Sequence, residues 1–189
     1  MNPIATQFIA ETLAFRPSEK RLRMLSDTMD LYADRQAAEA MLAKGDQVVY
    51  DMLVVDVPEE QGHLLHSVTV MHPGKVGDEY FISSGHFHED TNASEVYYCL
   101  AGEGVLLVQT HDGRCEAVPM RSGTAAYIPP GWAHRTSNTG NEPFVFLAVW
   151  PGDAGHDYGT IKETGFAKLV VERDGKPQVI DNPKFNEER

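Results

Sequence analysis

At 189 residues with 42% hydrophobic content, the chain has enough apolar material for one packed domain, which excludes a disordered polymer. Its formal net charge of −12 lacks the basic footprint that nucleic-acid binding requires. No apolar run is long enough to cross a bilayer, and Met1-Asn2-Pro3-Ile4-Ala5-Thr6 shows no basic segment followed by an apolar stretch. The expected compartment is therefore the cytoplasm, with Cys99 and Cys115 as reduced thiols in separate strand-like segments.

Residues 1–25 are mixed in composition and are expected to wrap the surface or a partner subunit. From Ser26 to Lys44 the pattern predicts one helix: Ser26 as cap, Asp27 and Asp30 near the positive end, and Gly45 as the stop. Met29, Tyr32, Ala33, Gln36, Ala40 and Met41 would be its buried stripe. Residues 1–44 thus form an N-terminal extension and residues 45–189 a β-rich body, one domain overall. Strands are predicted at 47–57, 64–72, 79–88, 95–101, 104–110, 115–120, 125–128, 133–138 and 143–150, with a terminal hairpin at 167–173 and 177–181. Gly102-Glu103-Gly104 reads as a hairpin turn between two of them. Many short strands at even spacing predict an all-β sandwich or barrel, here an antiparallel barrel with a site inside.

The chemistry concentrates in Gly85-His86-Phe87-His88, Glu95 after six further residues, and Pro129-Pro130-Gly131-Trp132-Ala133-His134. Three imidazoles and a carboxylate suit one borderline-to-hard divalent ion, with Fe(II) first and Mn(II), Ni(II) or Zn(II) as alternatives. On a strand, positions i and i+2 face the same side, so His86 and His88 can converge. A second strand would bring Glu95, and a turn before a third would bring His134. Two surface histidines beside an unrelated acid is the bland alternative.

At these residues the chain resembles the cupin superfamily, a jelly-roll barrel. The first motif of that family supplies His86, His88, Glu95 and Gly102; the second is matched by Gly123, Pro129, Gly131, His134 and Asn138. Within the superfamily, the wide gap from His88 to Glu95, the run from Pro73 to Tyr80, and Gly155-His156-Asp157-Tyr158-Gly159 are similar to the cupin-type glucose-6-phosphate isomerases. The resemblance spans about residues 45–183. Three positions depart from that pattern: Ser83 stands where Thr is usual, and Gly131 and Trp150 where Tyr is common.

The resemblance implies a metal-dependent aldose–ketose isomerase acting on glucose 6-phosphate and fructose 6-phosphate, with a small-molecule sugar phosphate as partner and a homodimeric assembly. It implies that His86, His88, Glu95 and His134 hold the ion, and that Glu95 shuttles a proton through an enediol. A hydride shift between C2 and C1 is the rival route. His156 would contact the sugar or assist ring opening, and Tyr158 would support it. Thr69, Ser83 and the Gly85 backbone would cradle the phosphate, and Gly permits close approach. Tyr97, two residues beyond Glu95, would hydrogen-bond the sugar or simply line the barrel. Lys75 would add charge near the phosphate, with an ordinary surface lysine as the commoner reading, and Glu79 would face the pocket. His63, His66, His72 and His111 have no ligand-like arrangement. An Fe(II) dioxygenase and a non-catalytic sugar-binding protein are the alternatives on this fold.

Overall fold

A computed structural model describes residues 2–185. The chain starts with a small hairpin, β1 (Gln7–Ile9) and β2 (Ala14–Arg16), then β3 (Glu19–Met24). Two short helices follow, α1 (Leu25–Thr28) and α2 (Arg35–Leu42), with a 3₁₀ turn at Met29–Leu31 between them. The body contains β4 (Val48–Val54), β5 (Leu64–Met71), β6 (Lys75–Val76), β7 (Glu79–Tyr80), β8 (Glu95–Ala101) and β9 (Glu103–Gln109). It continues through β10 (Cys115–Arg121), β11 (Ala125–Ile128), β12 (Ala133–Asn138) and β13 (Phe144–Pro151). Helix α3 (Tyr158–Thr164) precedes the terminal hairpin of β14 (Lys168–Arg173) and β15 (Lys176–Asp181).

The fold is an all-β cupin barrel. One wall is a six-stranded antiparallel sheet in the order β11-β8-β13-β5-β4-β3, faced by β10-β9-β12. A third sheet, β15-β14-β7-β6, extends the structure beyond the barrel. Strand alternation decides what faces inward. In β8 the odd positions Glu95, Tyr97 and Cys99 are buried, while Val96 and Tyr98 face out. The main core of Leu106, Phe144, Phe146, Ile128 and Met71 lies between the walls.

Four details differ from the sequence expectations. The helix over 26–44 is interrupted at Tyr32–Asp34: the Tyr32 ring is buried, the Ala33 N–H donates to the Glu79 carboxylate at 3.0 Å, and Asp34 starts a new helix by accepting from the Ala37 N–H at 2.9 Å. The break changes the helical phase, so Ala38 is buried and Gln36 and Ala40 are exposed. Residues 1–25 do more than wrap the surface, because β3 pairs with β4 as an edge of the large sheet.

Gly102 is not a hairpin turn, since β8 and β9 belong to opposite walls. It is the corner at which the chain changes sheets; its φ is 72°, and a Cβ there would meet the Pro143 carbonyl at 2.3 Å. The stretch 79–88 is regular only at β7. Beyond it, isolated bridges link Ile82 to Ser137, His86 to His134 and Phe87 to Asp157. Gly85, at φ 71°, breaks the ladder between the first two bridges.

Candidate active site and metal centre

His86 and His88 come from the bridged stretch, Glu95 opens β8, and His134 is the second residue of β12, just after the turn that precedes that strand. The His86–His134 bridge places two of these imidazoles with ring centroids 4.4 Å apart. One ligand atom from each of the four residues falls within 4.8 Å of all the others. Opposed donors at about 2.2 Å from a divalent ion would lie roughly 4.4 Å apart, so the spacing suits one shared ion. The donors also need a partner: His86 Nε2 and His134 Nδ1 are buried without a hydrogen bond among the described residues. Nε2 of His134 lies 2.9 Å from Glu95 Oε2 but is not aligned for a hydrogen bond, a contact that fits two ligands turned toward a common point. The residues present therefore fit a metal ion.

Electrostatics favour the ligand forms of His86 and Glu95. Burial, with His134, His156 and His88 alongside, holds His86 well below the ordinary histidine value, leaving a neutral imidazole. Burial alone would raise the Glu95 carboxyl, but the imidazoles of His134 and His88 outweigh it and keep it below the usual range. For His88, burial opposes protonation; the 3.1 Å contact with Glu95 prevails and raises it.

A cavity of about 320 Å³ opens over His86, Glu95 and His134. Thr69, Ser83, Gly85, Tyr97, His156 and Tyr158 all line it. Thr69 stands on the inner face of β5, opposite Met52 and Phe146. Tyr97 packs edge-on against His134 and stacks on Phe146 at 4.5 Å. Ser83 accepts from the Thr136 N–H at 2.9 Å. At Gly85 a Cβ would meet Phe166 at 2.9 Å and Arg135 at 3.1 Å, so this wall requires glycine.

The run Gly155-His156-Asp157-Tyr158 is held from both sides. Asp157 exchanges backbone hydrogen bonds with Phe87 and caps α3 through the Thr160 N–H at 3.1 Å. This sets the His156 ring 4.6 Å from His86 and parallel to Tyr158, with 8° between planes. Burial lowers His156, so it too is neutral near pH 7. The sequence offered no helix here, because a seven-residue helix opening on Tyr158-Gly159 carries little intrinsic propensity.

The remaining candidates lie elsewhere. Lys75 pairs with Glu172 at 2.5 Å, outside the cavity lining. Glu79 is buried beside Ala33 rather than in the cavity wall. Gly131 faces open space and does not line the cavity, whereas Trp150 does. The Trp150 indole N–H is buried without a partner among the described residues. His66 contacts Thr6, His72 lies 3.6 Å from Asp51, and His111 stacks on Phe87. The sequence reading did not single out several lining residues, among them Arg21, Arg23, Tyr50 and Glu59. Only the in–out alternation of β3 and β4 could have revealed the first three, and β3 itself was not foreseen.

Comparison with known proteins gives one consistent result. The sequence pattern of the family described as Glucose-6-phosphate isomerase (GPI) matches residues 22–186. Glucose-6-phosphate isomerase of Thermococcus kodakarensis is 48% identical over 185 residues, covering 98% of this chain and 97% of that protein. The proteins of the same name from Thermococcus litoralis and Pyrococcus furiosus are 46% and 45% identical, each over 97% of this chain and at least 96% of their own length.

Proposed function

The chain belongs to the glucose-6-phosphate isomerase family, and on that premise we propose that it interconverts glucose 6-phosphate and fructose 6-phosphate with a divalent metal ion, Fe(II) first, held by His86, His88, Glu95 and His134. From aldose to ketose the reaction moves one proton from C2 to C1 and one from O2 to O1, with charge passing between the two oxygens. The bound ion would supply a Lewis acid for those oxygens without a protonated side chain.

Glu95 is the proton shuttle in this reading. It is ionised at neutral pH and nearly solvent-free, and it borders the cavity; a carboxylate there can take a proton from C2 of the open-chain aldose and return it to C1 of the enediol. Neutral His156, across the cavity mouth, can donate its N–H to the ring oxygen and take the hydroxyl proton during ring opening. Tyr158 stacks on His156 and restricts its ring. Tyr97 orients sugar hydroxyls, while Thr69, Ser83 and the Gly85 backbone receive the phosphate. Phe146 stacks on Tyr97 and adds an apolar face to the cavity lining.

The observation that carries the reading is the opening of one cavity onto both Glu95 and His156. The assembly we expect is a homodimer, and the compartment the cytoplasm; among the described residues no helix is long and apolar enough to cross a membrane. The test is anaerobic turnover of fructose 6-phosphate by purified, metal-loaded protein. Glucose 6-phosphate as product supports the reading, and no turnover with any of the four metals overturns it.

A further inference from the structure

The known phosphate-cradle candidates are all neutral donors. A sugar phosphate brings about two negative charges at neutral pH, and the cavity already holds the carboxylates of Glu95 and Glu59. Hydroxyls and a backbone N–H leave that charge uncompensated in a partly desolvated pocket. Lys75 cannot compensate it, being paired with Glu172 outside the lining. Among the described residues, the only Lys or Arg side chains bordering the cavity are two arginines of β3, Arg21 and Arg23.

Their placement follows from pairing at the sheet edge. Arg21 stands opposite Met52 and Arg23 opposite Tyr50, and both partners line the cavity. The alternate residue Lys20 faces away, where it binds Asp51 at 2.6 Å. The two arginines are not equivalent. Arg21 is engaged by Glu19 at 3.2 Å, whereas Arg23 makes no ion pair among the described residues and donates only to its neighbour's carbonyl, Leu22 O, at 3.1 Å.

Arg23 also stands at the phosphate end. Its strand partner Tyr50 places its hydroxyl 3.1 Å from Ser84 Oγ, in the wall formed by Ser83, Ser84 and Gly85. A second recess of about 250 Å³ shares Arg23, Ser84, Gly85 and Tyr158 with the main cavity, so Arg23 sits where the pocket meets its vestibule. Its charge is felt at Tyr158, whose phenol is raised by burial and pulled back by Arg23.

We propose that Arg23 is the cationic anchor of the substrate phosphate, closing the cradle of neutral donors and selecting phosphorylated over free sugars. The proposal rests on the isomerase reading above. Guanidinium geometry suits two phosphate oxygens at once, and Arg23 is half-exposed, so it can meet the anion at the mouth.

The test compares wild type with Arg23→Gln, Arg23→Lys and Arg21→Gln, all metal-loaded, by steady-state kinetics on fructose 6-phosphate and by competitive inhibition with inorganic phosphate. Arg23→Gln should raise KM roughly 10- to 100-fold with kcat within about threefold. The inhibition constant for phosphate should rise by a similar factor. Arg23→Lys should recover part of the loss, and Arg21→Gln should change KM by less than about threefold. An unchanged KM in folded, metal-loaded Arg23→Gln overturns the proposal, as does a fall confined to kcat. If Arg23→Gln does not fold, inhibition of wild type by phosphate and the KM of Arg23→Lys decide instead; a wild-type KM in Arg23→Lys with no phosphate inhibition of wild type would overturn it. Absence of wild-type turnover would instead overturn the isomerase reading, so the two failures are distinct.

Discussion

The Ser83 hydroxyl oxygen accepts from both the backbone N–H and the hydroxyl of Thr136, at 2.9 and 3.1 Å. With its acceptor capacity taken up by β12, Ser83 has its own proton left to donate, and the cavity is where that proton can point. The side chain is one methyl group smaller than Thr, but Ser at this position preserves the donor that Thr would supply.

Replacing Ser83 by Ala should therefore raise KM for the phosphorylated sugar more than it lowers kcat. Loss of a donor to an anionic oxygen costs roughly 1.5–3 kcal/mol. The same change leaves the Thr136 N–H without its acceptor, so a drop in melting temperature should accompany it. Ser83→Thr keeps both contacts and should behave as wild type. Unaltered kinetics in Ser83→Ala would show that the hydroxyl does not reach the substrate.

Chelation should abolish turnover, and Fe(II), Mn(II) or Ni(II) should restore it, because the ligand set does not single out one metal. It should also lower the melting temperature. Buried His86 and His134 nitrogens have no hydrogen-bond partners among the described residues, and a ligand at about a hundred times its Kd adds about 2.7 kcal/mol. Calorimetry before and after chelation measures this without reference to activity. Full activity in protein proved metal-free by elemental analysis would refute it.

Glu79 predicts a pH effect on stability. Burial pushes its carboxyl up to about 7 from an ordinary 4.5, with the Ala33 N–H and Arg135 opposing the rise. The unfolded chain releases this proton near the lower value and the folded protein holds it to the higher one. Stability should thus fall as pH rises between them and level off above, by roughly 3 kcal/mol in all. Glu79→Gln retains an acceptor for the Ala33 N–H and cannot ionise. Urea unfolding at about pH 5 and about pH 8 should show the wild type losing that amount relative to the variant. Parallel behaviour of the two proteins would remove Glu79 as the cause.

How much could be read beforehand depends on the range of the interactions involved. The convergence of His86, His88, Glu95 and His134 was legible because side chains of the types that can hold a metal stood at strand-compatible spacing. The strands from β8 to β13 were legible because alternation and turn residues are local signals. The interrupted helix was not, since its break depends on Glu79 reaching Ala33 across 46 positions of sequence. Nor was Arg23, whose inward orientation exists only once β3 has paired with β4. The sheet-changing role of Gly102 was likewise hidden: a glycine turn looks the same in sequence whether the next strand folds back or crosses to the other wall.

The decisive test of mechanism is Glu95→Gln. Glu95 is almost fully buried and in contact with His88 and His134, so an isosteric amide should leave the fold largely intact. Gln can still offer an oxygen to a metal, but it cannot accept the substrate proton. Turnover should fall by at least about a hundredfold, the low end for general acid–base catalysis. Metal content must be measured alongside, because the amide is a weaker ligand and loss of the ion would mimic loss of the base. A variant that keeps its metal and near-normal turnover would remove Glu95 as the shuttle and favour the hydride shift. Substrate deuterated at C2 supplies the second measurement, on wild type. Exchange of the label with solvent during turnover requires an enediol and a base, and exchange is the expected outcome. Complete retention at C1 fits a hydride shift, but it also fits a buried carboxylate that returns its proton before water reaches it, as the enclosure of Glu95 would allow. Retention together with a hundredfold loss in Glu95→Gln would therefore still assign the proton to Glu95, whereas retention with undiminished turnover would assign the transfer to the substrate carbons themselves.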